Sequence, residues 1–364
     1  MDFGLSAEQA LLDDTVRRFL AERLAVERLR ELREKDSVYD ADAWKAFAAL
    51  GAAGCLIDEA HGGSGLGVLD AAVIATALGH GAAPLPFLSS AVMAPLLLRQ
   101  LGSPAQQQEW LPHLAAGEAR LGVAASEQVE RRQDAGLEAT EGKLTGTVLF
   151  VPDAPGADAY LIASDADLWL VPADAAGLEV RALPTIDQSR RLAELRCQGV
   201  AGERVGRAGG AAPALARTLD VARLVLAADA LGCCDRALEL AVAYAHERKQ
   251  FDRPIASFQA VKHLCAEMAA AIEPARSLLW YAAHAFDVEG LPEEPAVLAA
   301  LAKSHLADVA TFVLRTATEV HGGIGFTDEC DLHFWFHRAA LDRQWLGGPE
   351  KLRARAAALQ GWGA

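Results

Sequence analysis

The sequence predicts a mainly α protein with a central β domain: an N-terminal helical domain over residues 1–118, a small β-barrel or sandwich over 119–205, and a C-terminal four-helix bundle over 206–364. Three observations predict it. Apolar residues recur at helical spacing through the first stretch, short β-type runs broken by Gly, Pro and Asp fill the middle, and four long helical segments with short connections close the chain.

The first helix has a capping-box start at Ser6-Ala7-Glu8-Gln9 and an apolar face of Leu11, Leu12, Val16, Phe19 and Leu20. A second periodic run around Trp44, Phe47, Leu50 and Cys55 ends at the break His61-Gly62-Gly63-Ser64-Gly65, and alanine-rich helices resume through Leu78 and again from Ser89 to Leu101. Strands are predicted over 143–151, 159–163, 168–171 and 193–197, where β-branched, aromatic and aliphatic residues cluster between breaks. Glycines and prolines over 206–213 form a linker. Helices follow over 214–246, 258–288 and 295–321 and in a last stretch ending near Leu359, with a turn at Glu289-Gly290-Leu291-Pro292.

With 52% hydrophobic and 23% charged residues in 364, the chain has the composition of a soluble globular protein. A net charge of -15 excludes sequence-independent phosphate-backbone binding, which needs clustered Lys and Arg, so nucleic acid is not an expected partner. The start, Met1-Asp2-Phe3-Gly4-Leu5-Ser6, has no secretory pattern, and no run approaches the uninterrupted apolar length of a membrane span, so a cytoplasmic location is expected. The six cysteines show no CxxC spacing and read as small buried hydrophobes in a reducing compartment.

Two stretches concentrate chemistry. In Glu247-Arg248-Lys249-Gln250-Phe251-Asp252-Arg253-Pro254-Ile255-Ala256-Ser257-Phe258-Gln259, Arg248 can form paired hydrogen bonds to a phosphate, Gln250 and Gln259 can supply amide contacts, and Phe251 offers a flat apolar face. A helix C-terminus with a cation at its negative end accounts for the same spacing. In Glu319-Val320-His321-Gly322-Gly323-Ile324-Gly325-Phe326-Thr327-Asp328-Glu329, the glycines allow a backbone to approach a ligand closely, but the strand-before, helix-after context of a dinucleotide fingerprint is missing, and a plain helix-ending turn is the alternative. Glu329 and His333 are four apart without a third ligand, so no metal site is expected.

Together these stretches resemble the acyl-CoA dehydrogenase family: Glu247 to Phe251 with Pro254-Ile255 and Phe258-Gln259 is similar to one bundle signature, and His321 to Thr327 with Glu329 and Arg338 to a second. Glu59-Ala60-His61-Gly62-Gly63-Ser64-Gly65-Leu66-Gly67 resembles the family's acidic-then-Gly-Gly turn, so the likeness covers nearly the whole chain. The resemblance implies FAD-dependent α,β-desaturation of an acyl-CoA thioester, with electrons passed to an electron-transferring flavoprotein. It places Arg248, Gln250, Phe251 and Gln259 on the ADP half of FAD across a subunit interface, Gly322 and Gly323 nearby, and Arg223 on the substrate side.

The chain also departs from that family. The two places where its members carry the carboxylate base are Gly347, or Leu346 if the alignment slips by one, and Ala222; none can accept a proton. The flavin-ring loop is replaced by Ala125-Ser126-Glu127-Gln128-Val129-Glu130-Arg131-Arg132, and the strand run that follows it by Phe150-Val151-Pro152. The expectation is therefore the base-lacking subunit of a heterotetramer, completing the FAD site of a second acyl-CoA dehydrogenase-family subunit, as in branches acting on steroid side-chain thioesters. The alternatives are a self-sufficient homo-oligomer whose base is Glu127, Glu247, Asp328 or Glu329, and a flavin-free scaffold.

Overall fold

The computed structural model describes residues 4–35, 39–130, 132–133 and 135–362. Of the residues named above, Met1, Asp2, Phe3 and Arg131 lie outside these.

Helix α1 (Ala7–Arg23) begins at the expected capping box: Ser6 Oγ accepts from the Gln9 N–H at 3.2 Å, and Gln9 Oε1 accepts from the Ser6 N–H at 3.0 Å. Its buried side carries Val16 and Leu20, while Leu11 is 62% exposed. Nine residues at 3.6 per turn put Leu11 about half a turn away from Leu20, so the two cannot share a face. Helices α2 (Val26–Glu34) and α3 (Ala41–Ala49) follow, then α4 (Val68–His80), which is buried along almost its whole length. A fully buried π-helical stretch, Phe87–Met93, leads into α5 (Ala94–Leu101), and α6 (Pro104–Ala115) completes the N-terminal helices.

The β region is two open four-stranded sheets around one core, so it is a sandwich and not a barrel. One sheet has the order β1 (Leu121–Ala124), β4 (Ala159–Ser164), β5 (Asp167–Pro172), β8 (Glu203–Val205), and only its β1–β4 pair is parallel. The other is antiparallel, in the order β2 (Gly136–Thr140), β3 (Lys143–Pro152), β7 (Leu192–Ala201), β6 (Leu178–Leu183). Leu144, Val148, Val151, Tyr160, Ile162, Trp169 and Leu195 fill the space between them.

The C-terminal helices are α7 (Ala212–Glu247), α8 (Gln259–His284), α9 (Pro295–His321), α10 (Leu332–Gln344) and α11 (Pro349–Leu359). The last expected helix is thus two helices. Leu346 and Gly347 adopt φ of +55° and +110°, which no helix permits, and Pro349 opens the new one. Helix α4 crosses α7 on glycines: a Cβ at Gly79 would fall 2.0 Å from the Asp229 carbonyl oxygen, and one at Gly232 would fall 2.0 Å from that of Thr76. This close crossing sets Asp229 against the N-terminal helices.

One segment, Pro295–Phe326, is long and apolar enough to cross a membrane by length and composition, contrary to the sequence expectation. Its charges are few because α7, α8, α10 and α11 all pack against it, and that is the position of a core helix.

Candidate functional site

Helix α7 ends as the arm begins. Arg248 leaves helical geometry at φ −70° and ψ 124°, its N–H still donating to the Tyr244 carbonyl. Lys249–Gln250 pairs with Arg253–Pro254 as a two-residue hairpin whose central residues, Phe251 and Asp252, both have positive φ, 54° and 61°, as a type I′ turn requires. The turn holds the Phe251 ring out at 87% exposure, edge-on to Phe258 at 6.0 Å, and the Arg253 guanidinium covers Phe258 from 4.1 Å. Arg248, Gln250 and Gln259, the first residue of α8, are likewise exposed.

The glycine turn lies at the same end of the bundle. His321, the last residue of α9, stacks on Tyr244 at 4.7 Å and 23°, so Arg248 and Gly322 each leave from one side of a single ring pair. Gly322 has φ 66° and ψ −142°, backbone that side-chain-bearing residues avoid. Gly323 needs no such freedom, and among the described residues nothing lies within 4 Å of where its Cβ would be. This chain's own packing gives no reason for a glycine there. An open groove of about 940 Å³ runs beside the turn, lined by Phe312, Arg315, Gly322, Gly323 and Phe326.

The region of the two base positions is more enclosed. Ala222 is wholly buried on α7, and a Cβ on Gly347 would meet Leu352 Cδ2 at 3.2 Å. Arg223, expected on the substrate side, is 4% exposed; it bonds Asp220 at 2.5 Å and donates to the Leu346 carbonyl at 2.9 Å. Buried Lys303 donates to the carbonyls of Asp342 and Gly347, at 2.7 and 3.3 Å, and burial lowers its pKa to about 7.

Behind this turn is a buried cluster of charges from distant segments. Arg190, in the loop before β7, bonds Asp187 at 2.8 Å and Asp342 at 2.6 Å; Arg338 bonds both oxygens of Asp229 at 2.7 Å and donates to Ser189 Oγ and the Ala83 carbonyl. Burial pushes the Asp342 carboxyl well above its usual range, while at Asp229 burial acts the same way but Arg338 and Arg190 outweigh it and hold the carboxylate down. Burial also raises Asp153, at the cluster's edge, to about 6. Two hollows beside the cluster, one lined by Arg120, Asp153 and Arg190 and the other by Arg190, Asp229, Arg338 and Trp345, measure about 10 and 20 Å³, room for a single water at most. A third hollow, of about 190 Å³, separates Ser126, Val129 and Arg132 from Gln344 to Gly348, and the Lys351–Glu130 ion pair lines it.

The four alternative bases lie apart from the two base positions in sequence. Glu127 accepts from the Arg132 N–H at 3.0 Å, the Arg33 hydrogen bonds hold Asp328 down at about 2, and Glu247 and Glu329 are exposed at the arm end. His333 donates from Nδ1 to the Cys330 carbonyl and turns Nε2 to Asp328 at 3.2 Å, so it forms no metal pair with Glu329. Asp229, Cys233 and Asp342 converge within 4.8 Å, but Arg338 already neutralises the carboxylate and burial raises the Cys233 thiol, which disfavours a metal. The six cysteines are free thiols.

Sequence reasoning missed Asp187, Ser189, Arg190, Asp229, Lys303 and Asp342. A signal existed for two of them: Asp229 sits in Ala227-Ala228-Asp229-Ala230-Leu231, and Lys303 in Leu301-Ala302-Lys303-Ser304, each an ionisable residue within an apolar helical run.

Comparison with known proteins agrees with this architecture. Residues 6–118 match the acyl-CoA dehydrogenase N-terminal domain and residues 209–359 the C-terminal domain. The acyl-CoA dehydrogenase IpdE2 of Mycolicibacterium smegmatis is 31% identical over 359 residues, covering 96% of this chain and 98% of that protein. Among solved structures, the Tcur3481-Tcur3483 steroid ACAD superposes with a TM-score of 0.87 at 30% identity, covering 97% of this chain and 98% of that one. The ChsE4-ChsE5 complex of Mycobacterium tuberculosis does so with 0.88 at 29%, covering 99% of each chain. With its helical, β and helical regions in the family's order and both terminal domains matched, the chain belongs to the acyl-CoA dehydrogenase family.

Proposed function

We propose that this chain is the base-lacking subunit of a heteromeric acyl-CoA dehydrogenase, completing the FAD site of a second subunit of the same family. Members of the family are FAD-dependent. The residues here fit one half of that cofactor and not the other. At the ADP end, Arg248 is exposed with a guanidinium suited to phosphate, Phe251 offers a bare ring, and Gly322 and Gly323 leave backbone open to close approach. At the ring end the base positions are Gly347 and Ala222, neither of which can accept a proton, and the hollow between Ser126, Val129 and Arg132 and the Gln344–Gly348 turn holds only about 190 Å³. The observation that carries the reading is a contrast within one chain: Arg248, Phe251, Gly322 and Gly323 form an exposed edge suited to the ADP half of FAD, while neither base position carries a carboxylate.

In the assembly, Arg248, Phe251, Gly322 and Gly323 of this chain would hold the ADP end of FAD and the partner would supply the carboxylate base, the cofactor serving as hydride acceptor for acyl-CoA oxidation. An electron-transferring flavoprotein is the proposed acceptor. The names of the steroid ACAD and the ChsE4-ChsE5 complex support a two-subunit assembly and a bulky, steroid-derived acyl group. Free, mostly buried thiols support a reducing, cytoplasmic setting.

The test is purification with and without a family subunit that carries the glutamate. Alone, this chain is expected to be poor in flavin and without dehydrogenase turnover; together, the pair is expected to hold fewer FAD than chains and to oxidise acyl-CoA. A flavin-replete homo-oligomer with strong turnover sinks the proposal.

A further inference from the structure

The glycine turn is unusually free on its outer side. A Cβ added at Gly322 or Gly323 would meet nothing within 4 Å among the described residues, and Thr327 closes the turn by donating to the Ile324 carbonyl from both N–H and Oγ1. Its incoming end is fixed by the His321–Tyr244 stack and by the His321 Nδ1 bond to the Ala317 carbonyl at 2.7 Å. Its outgoing end, Asp328, is fixed from another domain. Arg33 on α2 grips both Asp328 oxygens, at 2.8 and 2.9 Å, and Arg30 donates to the Asp328 carbonyl at 2.7 Å and to Asp331 at 2.6 and 2.9 Å. Both guanidinium groups also lie over the Phe334 ring, at 5.2 and 5.7 Å.

An isolated exposed ion pair does little, but a bidentate pair within a network, backed by an aromatic face, is the geometry that holds a segment in place. Leu29, on the same helix, is buried in the N-terminal core, so the clamp reaches the turn from a segment of the chain distant in sequence. We propose that Arg33 and Arg30 are positioning residues for the cofactor edge: through Asp328 and Asp331 they hold the Gly322 and Gly323 backbone ready for the ADP half of FAD. The inference rests on the heteromer reading above. A turn ordered beforehand loses less conformational entropy when its ligand arrives, and the clamp acts through that difference.

The experiment compares wild type, Arg33→Glu, Asp328→Arg and the double charge swap. In the isolated chain, hydrogen exchange over 322–327 is expected to quicken about fivefold in either single variant and to return in the double, while the unfolding midpoint of the whole chain stays nearly fixed. In the complex with the partner subunit, FAD release is expected to follow the same order. Unchanged exchange in Arg33→Glu, or an FAD-replete complex indifferent to it, overturns the inference alone. A wild-type complex without FAD overturns the heteromer reading and this inference with it.

Discussion

Arg338 grips Asp229 through two contacts of 2.7 Å, with both side chains buried. Burial pushes the nearby Asp342 carboxyl well above its usual range, whereas Arg338 and Arg190 hold the Asp229 carboxylate down. The two carboxyls should therefore respond differently to mutation. Asp229→Asn leaves Arg338 buried without a counter-charge and is expected to cost about 3–5 kcal/mol. Asp342→Asn keeps an oxygen that can accept from Arg190 and removes a carboxyl whose charged form burial already disfavours, so it is expected to cost less, about 1–2 kcal/mol. Urea unfolding of the full chain checks both; equal losses would show that Asp342 is charged.

Lys303 gives a pH dependence with a definite sign. Its pKa falls from 10.5 in the unfolded chain to about 7 in the fold, because burial disfavours the ammonium. Between those values unfolding takes up a proton, so this contribution is full above pH 10.5 and is lost as pH falls toward 7, at up to about 1.4 kcal/mol per pH unit. Subtracting the stability curve of Lys303→Met from that of wild type should isolate this slope, since other titrations are common to both. A flat difference between pH 7 and 10 contradicts the assignment.

Restoring the carboxylate alone should not restore catalysis. Gly347→Glu puts a side chain at φ +110°, at a strain of about 1–3 kcal/mol, and Ala222→Glu buries an acid in a fully enclosed position. Neither variant reopens the interior around Arg190 and Arg338. Both are expected to unfold earlier and to show no acyl-CoA oxidation as isolated chains; turnover by either one shows that a ligand can enter.

At the other end, changes should be silent in the chain and visible in the assembly. Gly323→Val meets open space and Arg248→Ala removes an exposed side chain, so each should alter the chain's own stability by about 0.5 kcal/mol or less. In the partnered complex each is expected to lower FAD retention about ten- to a hundredfold, since loss of a charged hydrogen bond is worth roughly 1.5–3 kcal/mol. Equal flavin content across the series removes these residues from the cofactor edge.

The sequence was most readable where structure is local. The Ser6–Gln9 capping box and the strand β4 follow from residues a few positions apart. Four strands went unread for physical reasons: β1 is four residues buried throughout and shows no alternation, β8 is three residues long, and β2 and β6 carry few of the β-branched and aromatic residues that mark a strand. The arm and glycine turn were both legible as motifs; that Tyr244 and His321 join them was not. The charge cluster was the least legible, because Arg190 reaches Asp342 across 152 residues and no spacing rule spans that.

The closed interior also bears on how this chain could change over generations. Removing Arg190, Arg338 or Asp229 singly strands an opposite charge in a dry interior, so each first step toward an open cavity lowers stability before any new chemistry can be selected. Neutral drift can therefore reshape the exposed arm far more freely than it can reopen the centre. The charge cluster works as a ratchet that keeps the centre of the chain as it is while its surface changes.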